Sequence, residues 1–221
     1  MSNKIRRFFR EAIHPHLRIH RREHGRWLAD NGEAMRTSFP MLGPESMVFD
    51  IGGFTGGWAD AIHAHYGCTV HVFEPHPRFA ADLEHKYSGN DKIHVHAFAL
   101  GSETGKLALS DDGDASSALS GAGANLTGDV IAASGFMADF TPATIDLAKI
   151  NIEGGEYDLL PALARAGQLQ RFAMLQIQFH MFEKHQMAER DAIREELRKT
   201  HQCDWSYDFV WEQWTRREPA A

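Results

Sequence analysis

From Met47 onward, short runs rich in β-branched and aromatic residues alternate with longer stretches of helical period. MVFDI precedes WADAIHAHY, TVHVFE precedes RFAADLEHKY, and KIHVHAFAL supplies a third strand. TIDLAKINIE then leads into YDLLPALARAG, and FAMLQIQFH into a helix from about Glu189 to Thr200. Strands separated by helices are the signature of parallel βαβ units, so the order predicts an α/β fold with a doubly wound, mostly parallel sheet. WSYDFVWEQWTRR holds three of the five tryptophans and predicts closing antiparallel edge strands. Upstream, Ile5, Phe8, Phe9, Ala12 and Ile13 recur at i, i+3, i+4, i+7 and i+8, which predicts an amphipathic helix ended by Pro15. A second helix is expected from about His16 to Asn31. Residues 101–136, rich in Gly, Ser, Ala and Asp, read as too polar for core: a strand extension around LALS and a loop over the strand ends.

A chain of 221 residues, 43% hydrophobic and 24% charged, suits one core with an appendage. The expected division is a basic helical extension over 1–40 and a catalytic domain over 41–221. No apolar run is long enough for a membrane span or a secretory signal, which favours a cytoplasmic location. Cys68 and Cys203 are far apart and in no C-x-x-C context, so neither a disulfide framework nor a thiolate zinc site is expected. The net charge of −7 argues against a nucleic-acid partner. Residues 1–26, however, carry eight basic residues against two acidic ones, +6 in all, leaving −13 for the remainder. Two readings of this basic, amphipathic start stay open. It packs as a lid on the catalytic domain or on a second subunit of a homodimer, or it docks peripherally on the anionic inner face of a membrane or on a lipid-linked glycan.

In an open α/β sheet, ligands sit beyond the carboxyl ends of the strands, where VFDIGGFTGGW falls. A dinucleotide site needs G-x-G-x-x-G to embrace a pyrophosphate, whereas this turn reads Asp50-x-Gly52-x-x-x-Gly56, with an acid in place of the first glycine. That suits a cofactor without phosphate. The Asp50 carboxylate can organise the ammonium end of S-adenosylmethionine while Gly52 and Gly56 let the backbone approach. Glu74, 24 residues on and ending VHVFE, can accept hydrogen bonds from two ribose hydroxyls.

These stretches resemble the FkbM-type family of S-adenosylmethionine-dependent methyltransferases. VFDIGGFTGGW (48–58), VFEPHP (72–77), AFALG (97–101) and above all IDLAKINIEGGEYDLL (145–160) carry the likeness, the last being similar to the family's K-I-D-x-E-G-x-E signature. LQIQFHMF (175–182) and the final VWEQW are compatible with subgroups that act in surface-polysaccharide pathways. The resemblance spans about residues 45–215 and leaves the N-terminal helices outside. It implies a class I methyltransferase (Rossmann-like) fold, methyl transfer to a hydroxyl, often of a sugar, and cofactor contacts from Asp50, Gly52, Gly53, Phe54, Gly56, Glu74, Pro75 and Ala99. Where the signature has aspartate this chain has Asn151, so a charged metal ligand or base is not assumed there and no metal is expected. Glu153 and Glu156 match the two signature glutamates. Both also flank a helix start, where carboxylates interact favourably with exposed amides.

Methyl transfer from a sulfonium depends on holding the acceptor oxygen in line with the methyl carbon, and a neutral hydroxyl must also lose a proton. His180, at the end of LQIQFH, is the candidate base, with Glu153 and Asn151 as further catalytic candidates. Gln178, two positions back, is a candidate acceptor-binding residue, as are Ser116 and Ser117, since the family tends to carry serines in this insertion. His16, His20 and His24 recur along one helical face and His94 and His96 share a strand face, but no carboxylate or thiol completes a metal set. His76 borders the adenosine pocket or lies on the surface. The expected acceptor is a small molecule or glycan. The alternative, motivated by Asn151, is a catalytically silent adenosine-binding or scaffolding protein on the same fold.

Overall fold

The computed structural model describes residues 16–110 and 124–218. Ile5, Phe8, Phe9 and Ile13 of the amphipathic stripe, and Ser116 and Ser117, lie outside them. Helices α1 (His16–Ala29) and α2 (Gly32–Met35) come first. A strand–helix alternation follows: β1 (Met47–Ile51), α3 (Gly57–Tyr66), β2 (Thr69–Phe73), α4 (Pro77–Tyr87) and β3 (Ile93–His96). Next come β4 (Phe98–Gly101), β5 (Gly105–Ser110), β6 (Ala124–Ala132) and α5 (Ala133–Asp139). The chain continues through β7 (Leu147–Ile150), α6 (Glu156–Arg165), β8 (Met174–Ile177), α7 (Gln186–Arg198), β9 (His201–Tyr207) and β10 (Trp211–Arg216).

Seven strands form one sheet in the order β3-β2-β1-β7-β8-β10-β9. All pairs are parallel except those of β10, which runs antiparallel to β8 and to β9 and so closes the sheet as the tryptophan-rich tail predicts. β7 and β8 are buried at every position, the mark of central strands covered on both faces. Alternation along each strand divides the core. On one face Phe49, Ile51, Ile150 and Leu175 pack with Leu159, Leu163, Ile193 and Leu197 from α6 and α7. On the other, Val48, Leu147 and Met174 meet Trp58, Ile62, Leu83 and Tyr87 from α3 and α4.

The structure departs from the sequence pattern in three places. KIHVHAFAL is not one strand: β3 pairs with β2, whereas β4, starting two residues later, pairs with β6 in a separate three-stranded sheet of order β4-β6-β5. Ile93-His94-Val95-His96 alternates and Ala97-Phe98-Ala99-Leu100 is apolar throughout, but hydropathy does not name the strand that each run pairs with. The polar insertion is also more ordered than a loop. β5 and β6 form an antiparallel pair whose Leu109 is 1% exposed, and Ala133 and Met137 join the main core. Finally, residues 16–40 of the expected appendage are part of the domain. Trp27 is 1% exposed and packs on Trp205 and Tyr207 of β9, with ring centroids 5.6 and 5.3 Å apart. Tyr207 Oη donates to Asp30 at 2.8 Å, Gln176 Nε2 to Met35 O at 3.2 Å and Trp58 Nε1 to Arg36 O at 3.1 Å. Among the described residues no helix is long and apolar enough to cross a membrane.

A histidine pair lies on the α5 side of the sheet. His71 Nδ1 and His96 Nε2 are 2.8 Å apart with rings stacked 14° from parallel, and His94 lies across the His71 ring at 4.7 Å. Phe49, Phe73, Phe136 and Phe140 surround them. Burial, reinforced by the neighbouring imidazoles, lowers His71 to about 3 and His96 to about 4. The unfolded chain therefore takes up protons below about pH 6.5 that the folded chain refuses, so stability is full above that pH and falls as pH drops towards 4. We expect His71→Phe/His96→Phe to lose less unfolding free energy than the parent between pH 7 and pH 4.5 in urea titrations. An unchanged difference would show that the pair does not govern the acid limb. Stacked rather than convergent, these rings do not frame a metal, and no cluster of three metal-ligating side chains occurs among the described residues.

Candidate active site

β1 is the switch point of the sheet, with β2 on one side and β7, which follows it much later in sequence, on the other. A cavity of about 430 Å3 opens at the carboxyl ends of these three strands, a size typical of small-molecule sites. Ile51, Phe73 and Leu100 form its apolar floor, and Leu107, Leu109 and Val130 of the small sheet roof it. Its polar groups include the carboxylates Glu74, Glu153 and Asp158, and no Lys, Arg or His lines it among the described residues. An apolar slot with acidic ends fits an adenosine carrying a sulfonium and an ammonium, and it disfavours a pyrophosphate.

Glu74 emerges from β2 and lines this cavity. Its two oxygens accept from Phe54 N at 2.8 Å and His76 N at 2.9 Å, which fixes the carboxylate while leaving lone pairs for a diol. Burial raises its pKa and the two backbone donors oppose the rise. Gly52, Phe54, Pro75 and Ala99 line the cavity with it, whereas Gly53 and Gly56 do not. Their hydrogen side chains serve packing instead: a Cβ on Gly53 would collide with Val72, and one on Gly56, at φ +78°, with the Tyr87 hydroxyl. Gly52, at φ +91°, has no room for a Cβ against the carbonyl of Asn151, so it keeps the β1 and β7 ends in contact. His76 is buried against the Phe79 ring rather than on the surface.

Asp50 is placed differently from the sequence expectation. It is 0% exposed and outside the cavity lining, and its Oδ1 accepts from Lys149 Nζ at 2.7 Å. Burial pushes the Asp50 carboxyl up, while the Lys149 ammonium and the more distant Arg36 pull it down. Lys149 also donates to Gly52 O at 2.6 Å, so this lysine, which the motif reading passed over, ties the glycine turn to β7. Glu153 and Asp158 line the cavity, and Asp50 does not. Asp158, also unforeseen, accepts from Ser102 N at 2.7 Å.

Beyond β7, Asn151 and Glu153 reach the cavity wall, with Glu153 at φ +46°. Burial raises the Glu153 carboxyl; the nearby His180 opposes and Glu156 reinforces the rise. His180 follows β8, outside the cavity lining but close enough to Glu153 for this charge interaction. Its Nδ1 stands 3.1 Å from Glu156 Oε1, and the Phe182 ring lies 9° from parallel to it. Gln178 is half-buried two residues before, with its backbone N–H bound to Ile150 O and its side chain outside the cavity lining. In α1, burial, then His24 and His180, lowers the pKa of His20.

A parallel sheet of this order, with an acid-lined cavity at its switch point and a roof inserted between β4 and α5, is the architecture of class I methyltransferases. The model of the methyltransferase FkbM domain matches residues 50–209, and the chain belongs to that family. It is thus an S-adenosylmethionine-dependent methyltransferase. Its fold is similar to that of methyltransferase FkbM from Methylobacillus flagellatus KT, with TM-score 0.53 and 16% identity over 79% of this chain; the chain spans 44% of that protein. It is similar also to the N-methyltransferase NodS from Bradyrhizobium japonicum WM9, with TM-score 0.50 and 11% identity over 86% of this chain and 96% of that one. These likenesses concern the fold. No curated protein matches the chain in sequence.

Proposed function

We propose that the enzyme methylates a hydroxyl oxygen of a saccharide or glycoconjugate. The observation that carries this reading is the imidazole of His180, three residues past the end of β8, whose neighbour β7 leads into the cavity-lining Asn151 and Glu153. When bound, S-adenosylmethionine would supply an electrophilic methyl group for the acceptor oxygen. Glu74 would hold the ribose and Glu153 or Asp158 the ammonium end. Asn151 and Gln178 would orient the acceptor hydroxyl, and His180 would take its proton. The Phe182 ring, 41% exposed and stacked on His180, offers an apolar platform for a sugar face. Three carboxylates in the cavity and a net charge of −7 weigh against a nucleic-acid acceptor. A lipid-linked glycan at the inner membrane face would suit the basic residues 1–26.

A mass-spectrometric screen of glycans and small molecules incubated with S-adenosylmethionine tests the acceptor class through a gain of one methyl group. With an acceptor in hand, His180→Ala should slow turnover about 100-fold, the usual contribution of a positioned base, while cofactor affinity stays near normal. Full turnover with the chemical step rate-limiting would remove His180 from the role.

A further inference from the structure

We propose that Glu156 is the positioning residue of this site: it fixes the His180 ring with the proton on Nδ1 and so presents the Nε2 lone pair to the acceptor. The proposal rests on His180 as the base. Glu156 opens α6, where an acid ordinarily caps exposed amides at the surface. Here it is 0% exposed, and each oxygen is committed. Oε2 accepts from Gly154 N at 2.8 Å, and Oε1 accepts from the backbone N–H of His180 at 2.6 Å. Held at both ends, the carboxylate cannot rotate, and the same Oε1 faces His180 Nδ1 at 3.1 Å.

A carboxylate has no proton to give, so the ring nitrogen opposite it must be the donor. That leaves Nε2 as the acceptor, the form a general base requires. Among the described residues no hydrogen bond engages Nε2, whereas the rest of His180 is held. Tyr157 Oη donates to its carbonyl at 2.6 Å, and Phe182 stacks on its ring. The backbone clamp alone would make Glu156 a structural residue. Its contact with Nδ1 adds a consequence for the chemistry, because it selects one of two tautomers.

Nitrogen-15 NMR of the full-length protein, with His180 assigned by loss of its signals in His180→Ala, reads the tautomer directly. The expected spectrum at neutral imidazole has the proton on Nδ1; a proton on Nε2 overturns the proposal without any change at Glu156. In kinetics, Glu156→Gln should lower kcat about 10- to 100-fold, in the range for residues that orient a reacting ligand, with the acceptor KM and cofactor affinity changed less than about threefold. Glu156→Asp, which keeps the charge, should recover part of the loss. The double variant with His180→Ala should be no slower than His180→Ala alone, since both act through one ring. If His180→Ala keeps full turnover, the base assignment itself fails. If it is slow while Glu156→Gln retains kcat and the Nδ1 proton, only the positioning role fails.

Discussion

Lys149→Met lowers the thermal midpoint by about 6–20 °C, the largest change expected of any substitution considered. The Lys149 side chain is 5% exposed and its partner Asp50 is fully buried, so the variant leaves a carboxylate without water or its hydrogen-bonded cation and with only the more distant Arg36 to oppose burial. Breaking a buried pair from one side costs about 3–5 kcal/mol. For a domain of this size each kcal/mol shifts the midpoint by about 2–4 °C. Burial already pushes the Asp50 carboxyl up, and removal of Lys149 takes away the principal opposing charge. Asp50→Asn/Lys149→Met removes both charges and should recover much of the loss. A Lys149→Met midpoint within about 2 °C of the parent would show that the pair is not a determinant of stability. The turn should suffer too, because Lys149 also holds Gly52 O.

Glu74→Ala should weaken S-adenosylmethionine binding by about 2–4 kcal/mol, or roughly 30- to 700-fold, as expected when one side of a buried charged hydrogen-bond set is truncated. Of the three cavity carboxylates it alone ends β2, and its oxygens are aimed by Phe54 N and His76 N. Glu74→Gln keeps the size but turns an amide NH2 towards one of those backbone donors, so it should bind weakly as well. Because the acid also steadies the turn, calorimetry is to be paired with a melting curve. Unchanged affinity in a folded Glu74→Ala would remove Glu74 from the ribose site.

The order of strands and helices was legible because each central strand is a short apolar run and each helix has a 3.6-residue stripe. The change of sheet at Ala97 was not. β3 alternates apolar residues with histidines and β4 is apolar, but neither pattern names its partners, Val72 and Phe73 for one and Val130 and Ile131 for the other. The roof was hidden for a related reason. Leu107, Leu109 and Val130 lie in a stretch rich in Gly, Ser and Asp, and they come together only as lining of the cavity. The site motifs pointed to Glu74 and Gly52, which line the cavity, and to Asp50, Gly53 and Gly56, which do not. A signal for the ion pair was present: Asp50 in MVFDI and Lys149 in LAKI are single charges in apolar strands, and two such charges in one core call for each other.

The docking of α1 and α2 on β9 fixes the timing of self-assembly on the ribosome. Tyr207 and Asp30 are 177 positions apart, and Gln176 reaches back 141 positions to Met35. A contact cannot form before both partners have been synthesised, so Trp27 has no place to bury itself until the β9–β10 hairpin emerges. Helices α1 and α2 therefore wait, with an apolar face uncovered, until residues up to 177 positions further along have been made. Long-range closure of this kind slows folding and lengthens the interval in which a chaperone can intervene.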